Sequence, residues 1–216
     1  MREITGLFGL AALLSACGGT EGDLLPTGQG GPGPFASEVV RFEPGEGAGH
    51  GQDSLPDVVL GAPSGFASTS PSLEVLSLGQ GGVIELGFEG VIFDEPGPDF
   101  VVFENPFYVR GDPARPYAEL AEVSVSSDGQ AFTSFVCDPN GAGDGTYPGC
   151  AGWTPTKVYD PTEGDLDPEL TGGDAFDLSE LGVDEVRMIR IRDLSTSGEG
   201  PSAGFDLDGV GAVHLR

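Results

Sequence analysis

From residue 37 to the C-terminus, apolar side chains occur in short runs separated by Gly, Pro, Asp, Asn and Ser. This is the punctuation of strands and turns. Strands are predicted at Glu38–Phe42, Asp57–Leu60, Leu73–Leu78, Gly82–Phe88, Phe100–Phe103, Ala121–Ser126, Phe132–Val136, Val186–Arg192 and Val210–Leu215. In Glu122-Val-Ser-Val-Ser126 every second residue is apolar, which places Val123 and Val125 on one buried face. Ser127-Asp-Gly-Gln130 then supplies a hairpin turn toward Phe132, and Ile189-Arg-Ile-Arg192 alternates in the same sense. No stretch sustains a helical period of ten or more residues, although Asp177–Gly182 fits a single turn. The fold class expected is all-β, a single antiparallel sandwich with loops at its ends.

The first residues break this pattern. An apolar run from Ile4 to Leu14 is too short to span a bilayer and ends in Leu14-Ser-Ala-Cys17. That is the layout of a lipoprotein signal peptide, cut before the cysteine that receives the lipid. Gly18, rather than an aspartate, resembles the sorting signal for the outer membrane, so a lipid-anchored outer-membrane location is expected. Residues 18–35 are rich in Gly and Pro and have no periodicity, so they read as a flexible tether with a reach of about 20–25 Å. The expected organisation is a signal peptide over 1–16, a lipidated tether over 17–36 and a β-sandwich domain over 37–216.

Charge narrows the partners. Thirty-five acidic residues against nine basic ones give a formal net charge of −26, which repels nucleic acid and anionic headgroups. The 13 phenylalanines argue against a disordered acidic chain, because they supply a core. Of the 3 cysteines, Cys17 is assigned to lipid, leaving Cys137 and Cys150 as an even pair. In an oxidising compartment that pair reads as a disulfide; a thiol metal site lacks close Cys or His partners.

Catalytic signatures are absent: there is no Gly-x-Ser-x-Gly, no His-Glu-x-x-His and no phosphate-binding loop. His50 and His214 are the only histidines, and each is isolated in sequence. Calcium is the more economical use of the acidic Gly-rich loops, since it takes six to eight oxygens from carboxylates, amides and carbonyls. The candidate ligands are Asp99, Glu104, Asn105, Asp174, Asp206 and Asp208. None belongs to an EF-hand. Asp165-Leu-Asp167-Pro-Glu169 starts with suitable spacing, but Leu170 stands at the turn-glycine position. Asp206 and Asp208 flank Leu207, so on a strand both would share one face while the leucine points inward. Arg190 and Arg192 would likewise share a face and pair with acidic neighbours, the alternative being recognition of an acidic sugar. Trp153, Tyr147 and Tyr159 lie in Gly/Pro-rich loops and are the candidate ligand-binding aromatics, because exposed rings offer a flat apolar surface to a sugar.

Several segments together resemble a largely uncharacterised family of bacterial cell-surface lipoproteins and secreted proteins. They are Asp57-Val-Val-Leu-Gly-Ala-Pro63, Leu78-Gly-Gln-Gly-Gly-Val-Ile-Glu-Leu86, Gly97-Pro-Asp-Phe-Val-Val-Phe-Glu-Asn-Pro-Phe107, Ala121-Glu-Val-Ser-Val-Ser-Ser-Asp-Gly129, Gly173-Asp-Ala-Phe-Asp-Leu178, Val186-Arg-Met-Ile-Arg-Ile-Arg-Asp193 and Gly204-Phe-Asp-Leu-Asp208. The resemblance implies a galactose-binding-like jelly roll, hence a binding or adhesion module with a structural calcium and a surface glycan or envelope protein as partner. Two other readings remain beside it: a carbohydrate-active enzyme using a carboxylate pair such as Asp99 and Glu104, and a structural envelope protein with no ligand.

Overall fold

The computed structural model describes residues 33–64, 71–141, 143–157, 166–196 and 200–216. The signal peptide, Cys17, most of the tether, Tyr159 and Asp165 lie outside the described residues. In chain order the strands are β1 (Glu38–Glu43), β2 (Leu76–Ser77), β3 (Val83–Phe93), β4 (Phe100–Glu104), β5 (Phe107–Tyr108), β6 (Pro116–Tyr117), β7 (Ala121–Ser126), β8 (Thr133–Ser134), β9 (Cys150–Ala151), β10 (Asp174–Phe176), β11 (Glu185–Asp193) and β12 (Asp206–Ala212). One helical turn, α1 (Pro168–Thr171), is capped by Asp167, whose carboxylate accepts from the Glu169 amide at 2.9 Å.

The strands form an all-β sandwich with antiparallel pairing throughout. One sheet runs β1-β3-β11-β7-β8, with β9 beside β7; the facing sheet runs β10-β4-β12-β2. A separate two-stranded ribbon, β5-β6, stands next to the second sheet's chain path. The alternation read from sequence places the core: Ile84, Leu86, Val123, Val125, Ile189 and Ile191 meet Phe100, Val102, Leu207 and Val210. Each such side chain contributes about 1.5–3 kcal/mol by leaving water. At one end Phe100 stacks on Phe176 with ring centroids 5.2 Å apart, and Phe135 closes against both.

β4 is wholly apolar before Glu104, and the fold buries both of its faces. Val101 and Phe103 turn to a second cluster with Leu166, against which Phe35 and Val213 pack. The Ala36 amide donates to the Val210 carbonyl at 2.9 Å, so packing begins slightly before residue 37.

The Ala121–Ser126 strand and its hairpin stand as expected, with Ser124 opposite Ser134 and Gly129 at φ 71° in the turn. A positive φ there is available to glycine without a steric penalty. Asp57–Leu60 is a correction: it forms a 3-10 turn over Asp57–Val59 instead of a strand. Pro56 in the helical region starts that turn, and one buried valine, Val59, anchors it. The last strand begins earlier than expected, at Asp206, which puts the two aspartates inside it.

Cys137 and Cys150 are joined in a disulfide with a Cα–Cα separation of 4.5 Å. Since Cys150 opens β9 beside Glu122 of β7, the bond ties a Gly-rich loop to the sheet edge. The arginines pair with acidic neighbours: Arg190 lies 2.8 Å from Glu85, Arg41 3.4 Å from the same carboxylate, and Arg192 3.5 Å from Glu122.

Candidate functional site

The second sheet ends in carboxylates. Glu104 is the last residue of β4, Asp206 the first of β12, and Leu207 is the register partner of Glu104, so the two acids are neighbours by strand pairing. Ser77, at the end of β2, pairs with Asp206. Glu119 arrives from the segment between β6 and β7. Glu104, Glu119 and Asp206 each offer an oxygen, and these lie within 4.8 Å of one another.

Burial makes this arrangement unusual. Glu104 is 1% exposed and Asp206 8%. Among the described residues, no Lys or Arg forms an ion pair with any of the three. Part of the oxygen set is satisfied: the Asp206 amide donates to Glu104 Oε1 at 3.3 Å, and the Ser77 hydroxyl donates to Asp206 Oδ1. Glu104 Oε2 is buried with no hydrogen-bond partner. Asn105 donates its side-chain amide to the Ser72 carbonyl at 2.8 Å, which fixes the residue beside the cluster.

The electrostatic consequence is uniform in sign. Burial, then Asp206 and Glu119, push the Glu104 carboxyl well above its usual range. Glu119 is pushed up to about 7 by burial, then by Asp206 and Asp193. Asp206 is raised by burial, although the Ser77 hydroxyl, His50 and Asn105 work against that. Three carboxyls whose charged forms are all disfavoured by burial make an unfavourable arrangement in isolation; an oxygen-seeking cation would relieve it.

Glu119 and Asp206 line a cleft of about 290 Å³ together with His50, Asn105, Leu73, Val75, Phe107 and Tyr117. The β5-β6 ribbon supplies its aromatic wall: Phe107 and Tyr117 are register partners and stack with centroids 5.1 Å apart. His50 lies 2.8 Å from the Leu73 carbonyl through Nε2, which holds one side of the cleft. Gly152, at φ 95°, lets the chain pass the Glu119 segment, since a Cβ there would stand 2.0 Å from the Glu119 carbonyl oxygen.

Of the residues expected to bind metal, the fold gathers Glu104, Asn105 and Asp206 at this end. Asp99 stands before the opposite end of β4, about 16 Å away at strand rise. It lies in a second acidic group with Asp94 and Asp177. There its oxygens serve the fold: Oδ1 accepts from the Glu95 amide at 3.0 Å and meets His214 Nδ1 at 2.9 Å, while Oδ2 accepts from the Leu178 amide at 2.7 Å. Asp208 Oδ1 accepts from the Ser64 amide at 2.7 Å. Asp174 Oδ2 receives the amides of Gly152, Trp153 and Thr154 at 2.6, 3.1 and 3.5 Å, holding that turn against β10.

Of the aromatics expected to bind ligand, Trp153 and Tyr147 line different depressions, and Tyr159 lies outside the described residues. Trp153 is half-buried, donates Nε1–H to the Cys150 carbonyl at 3.1 Å, and lines a depression of about 340 Å³ with Asp174. Tyr147 lines another of about 360 Å³ with Arg115 and Asn140. Glu119 and the Phe107–Tyr117 stack were not in the expected site. A local signal that singles out this end is Glu104, a carboxylate closing a strand that is otherwise wholly apolar.

No model of a known protein family matches the chain, and no curated protein matches it.

Proposed function

We propose that this protein is a lipid-anchored surface module whose β-sandwich holds a calcium ion at Glu104, Glu119 and Asp206 and presents the adjoining cleft to a ligand. The observation that carries the reading is Glu104 Oε2, fully buried and without a partner between two further carboxylates. Hard oxygen donors without Cys or His favour calcium, magnesium or manganese over zinc or copper. Calcium suits an irregular cluster best, because it does not demand an octahedron. Asn105 presents its side-chain N–H₂ to the Ser72 carbonyl and to Asp206, so it orients the carboxylates. The resemblance to bacterial surface proteins with a galactose-binding-like jelly roll agrees with a binding role, and the partner class it suggests is a surface glycan or envelope protein.

The experiment is calorimetric titration of chelator-stripped protein with calcium, alongside Asp206→Asn. Saturable binding by the parent, and at least about tenfold weaker binding by the variant, is expected. No heat and no thermal shift at millimolar calcium would overturn the reading. Anchoring at Cys17, directed to the outer membrane by the signal sequence, is tested separately. Cys17→Ser should move the protein from the membrane fraction to the soluble one, and retention in the membrane would refute a lipid anchor.

A second reading has one observation behind it. Glu119 and Asp206 stand with oxygens within 4.8 Å of each other on an aromatic-walled cleft, a separation close to that of the paired carboxylates of retaining glycoside hydrolysis. Calcium-independent release of sugar from oligosaccharides would favour it. The pair Asp99 and Glu104, at opposite ends of β4, is too far apart for such a role.

A further inference from the structure

We propose that the cleft binds a neutral pyranose through the calcium ion, two adjacent sugar hydroxyls completing the ion's coordination while the ring lies against Tyr117. This rests on the calcium reading above and assigns a ligand class to the same site.

The first support is a count of oxygens. Glu104 Oε1 and Asp206 Oδ1 are already engaged by the Asp206 amide and the Ser77 hydroxyl. Glu104, Glu119 and Asp206 bring one oxygen each to within 4.8 Å of one another, and Asn105 faces Asp206 as a donor. Calcium takes six to eight. With one converging oxygen from each acid, three or more positions would be left for second carboxylate oxygens, water or a ligand in the cleft. Glu104 is buried while Glu119 and Asp206 line the cleft, so an ion held by the three would be reached by a ligand from the cleft side. Adjacent hydroxyls on a sugar ring are two neutral oxygens at a spacing one ion can span.

The second support is the wall. Tyr117 is 53% exposed, yet its ring is held by the stack on Phe107, with planes 16° apart. An exposed tyrosine kept in one orientation loses little side-chain freedom on binding. Its ring offers an apolar face to the C–H side of a sugar, and the exposed Leu73 adds apolar surface to the same cleft. The cleft, about 290 Å³, is at the small end of ligand sites and has room for one ring.

Charge decides between sugars. A protein of net charge −26, with carboxylates at the floor of the cleft, disfavours uronic and sialic acids and favours uncharged hexoses.

The test is calorimetric titration of the full-length protein in detergent with methyl mannopyranoside and methyl galactopyranoside. Each is paired with a deoxy analogue lacking one of the adjacent hydroxyls, and each is run in calcium and in chelator. At least one glycoside should bind in calcium, with affinity falling about tenfold or more in chelator, for its deoxy analogue, and in Tyr117→Ala. Tyr117→Ala should keep its calcium affinity within about twofold, which also shows that it is folded. Calcium binding without binding of either glycoside overturns this inference and leaves the calcium reading standing. Absence of calcium binding overturns both, and sugar binding unaffected by chelator overturns the bridging ion.

Discussion

The main-chain amide of Asp206 donates to Glu104 Oε1 over 3.3 Å, fastening the first residue of β12 to the last of β4. One oxygen of Glu104 therefore holds the sheet together while the other, Oε2, is buried without a partner. The two halves of a single carboxylate have different tasks, and substitution can separate them.

Glu104→Gln keeps an oxygen for the Asp206 amide and places an N–H₂ donor where Oε2 stood, next to two carboxylates. The calcium-free variant should be more stable than the parent at pH 8, by about 1–2 kcal/mol or a few degrees in Tm, because a repelling buried charge is gone. The rise in Tm on adding calcium should disappear. Differential scanning calorimetry with and without calcium checks both halves, and a calcium-free variant that melts lower than the parent would contradict this account of the cluster.

The disulfide closes a stretch with a sequence separation of 13 and almost no apolar residues to hold it. Cys137→Ser should cost about 3 kcal/mol on the chain-entropy estimate. Its effect on calcium affinity should be small, since neither cysteine lines the acidic cleft. Urea unfolding measures the first and calcium titration the second. A midpoint equal to that of the parent would mean that the loop is held by contacts other than the bond.

Local pattern made much of this fold readable. Val123, Val125, Ile189 and Ile191 announce a buried face by alternation alone, and Asp128-Gly129 announces the turn that joins β7 to β8. The site was readable only where strand grammar is violated, at Glu104 after four apolar residues and at Asp206 before Leu207. Glu119 carries no such mark, because only the packing of the β6–β7 connection against the sheet brings it to them. Asp99 and Asp174 show the converse. In the sequence they look like ligands, and the folded chain turns main-chain amides toward both oxygens of Asp99 and toward Oδ2 of Asp174, whose Oδ1 is buried without a partner. Composition cannot show how many main-chain amides a folded chain will turn toward a given carboxylate.

Asp174 also predicts a pH dependence. Burial pushes its carboxyl up to about 7 from an ordinary 3.8, opposed by the Thr154 hydroxyl and the amides of Trp153, Gly152 and Thr154. The folded protein thus keeps a proton that the unfolded chain loses. The stability this gives is complete below about pH 4 and is lost as pH rises to about 7. In Asp174→Asn the amide oxygen can accept the three main-chain amides, and the group stays neutral throughout. Relative to the parent, the variant should gain on the order of 1–3 kcal/mol between pH 4.5 and pH 8, read by urea unfolding at both. Parallel pH profiles would show that Asp174 ionises as it would in water.

Glu85 carries the last prediction. Its side chain is 7% exposed, with Arg190 at 2.8 Å and Arg41 at 3.4 Å, and the Arg190 guanidinium lies 3.6 Å from the centre of the Phe132 ring. This ion pair spans β1, β3 and β11 in the middle of a sheet whose surroundings are acidic. Removing Arg190 leaves a nearly buried carboxylate beside a single, largely solvated Arg41, so Arg190→Ala should cost about 2 kcal/mol. Most of that cost is the stranded charge on Glu85 and not the loss of the arginine's own packing. Adding Glu85→Gln to Arg190→Ala should therefore recover at least half of it, while Arg190→Lys, which keeps the charge and loses the planar contact with Phe132, should fall between. Urea midpoints at constant m-value give the coupling directly. If the two substitutions were additive, the arginine would be contributing through Phe132 alone, and the ladder of charges would have no energetic standing.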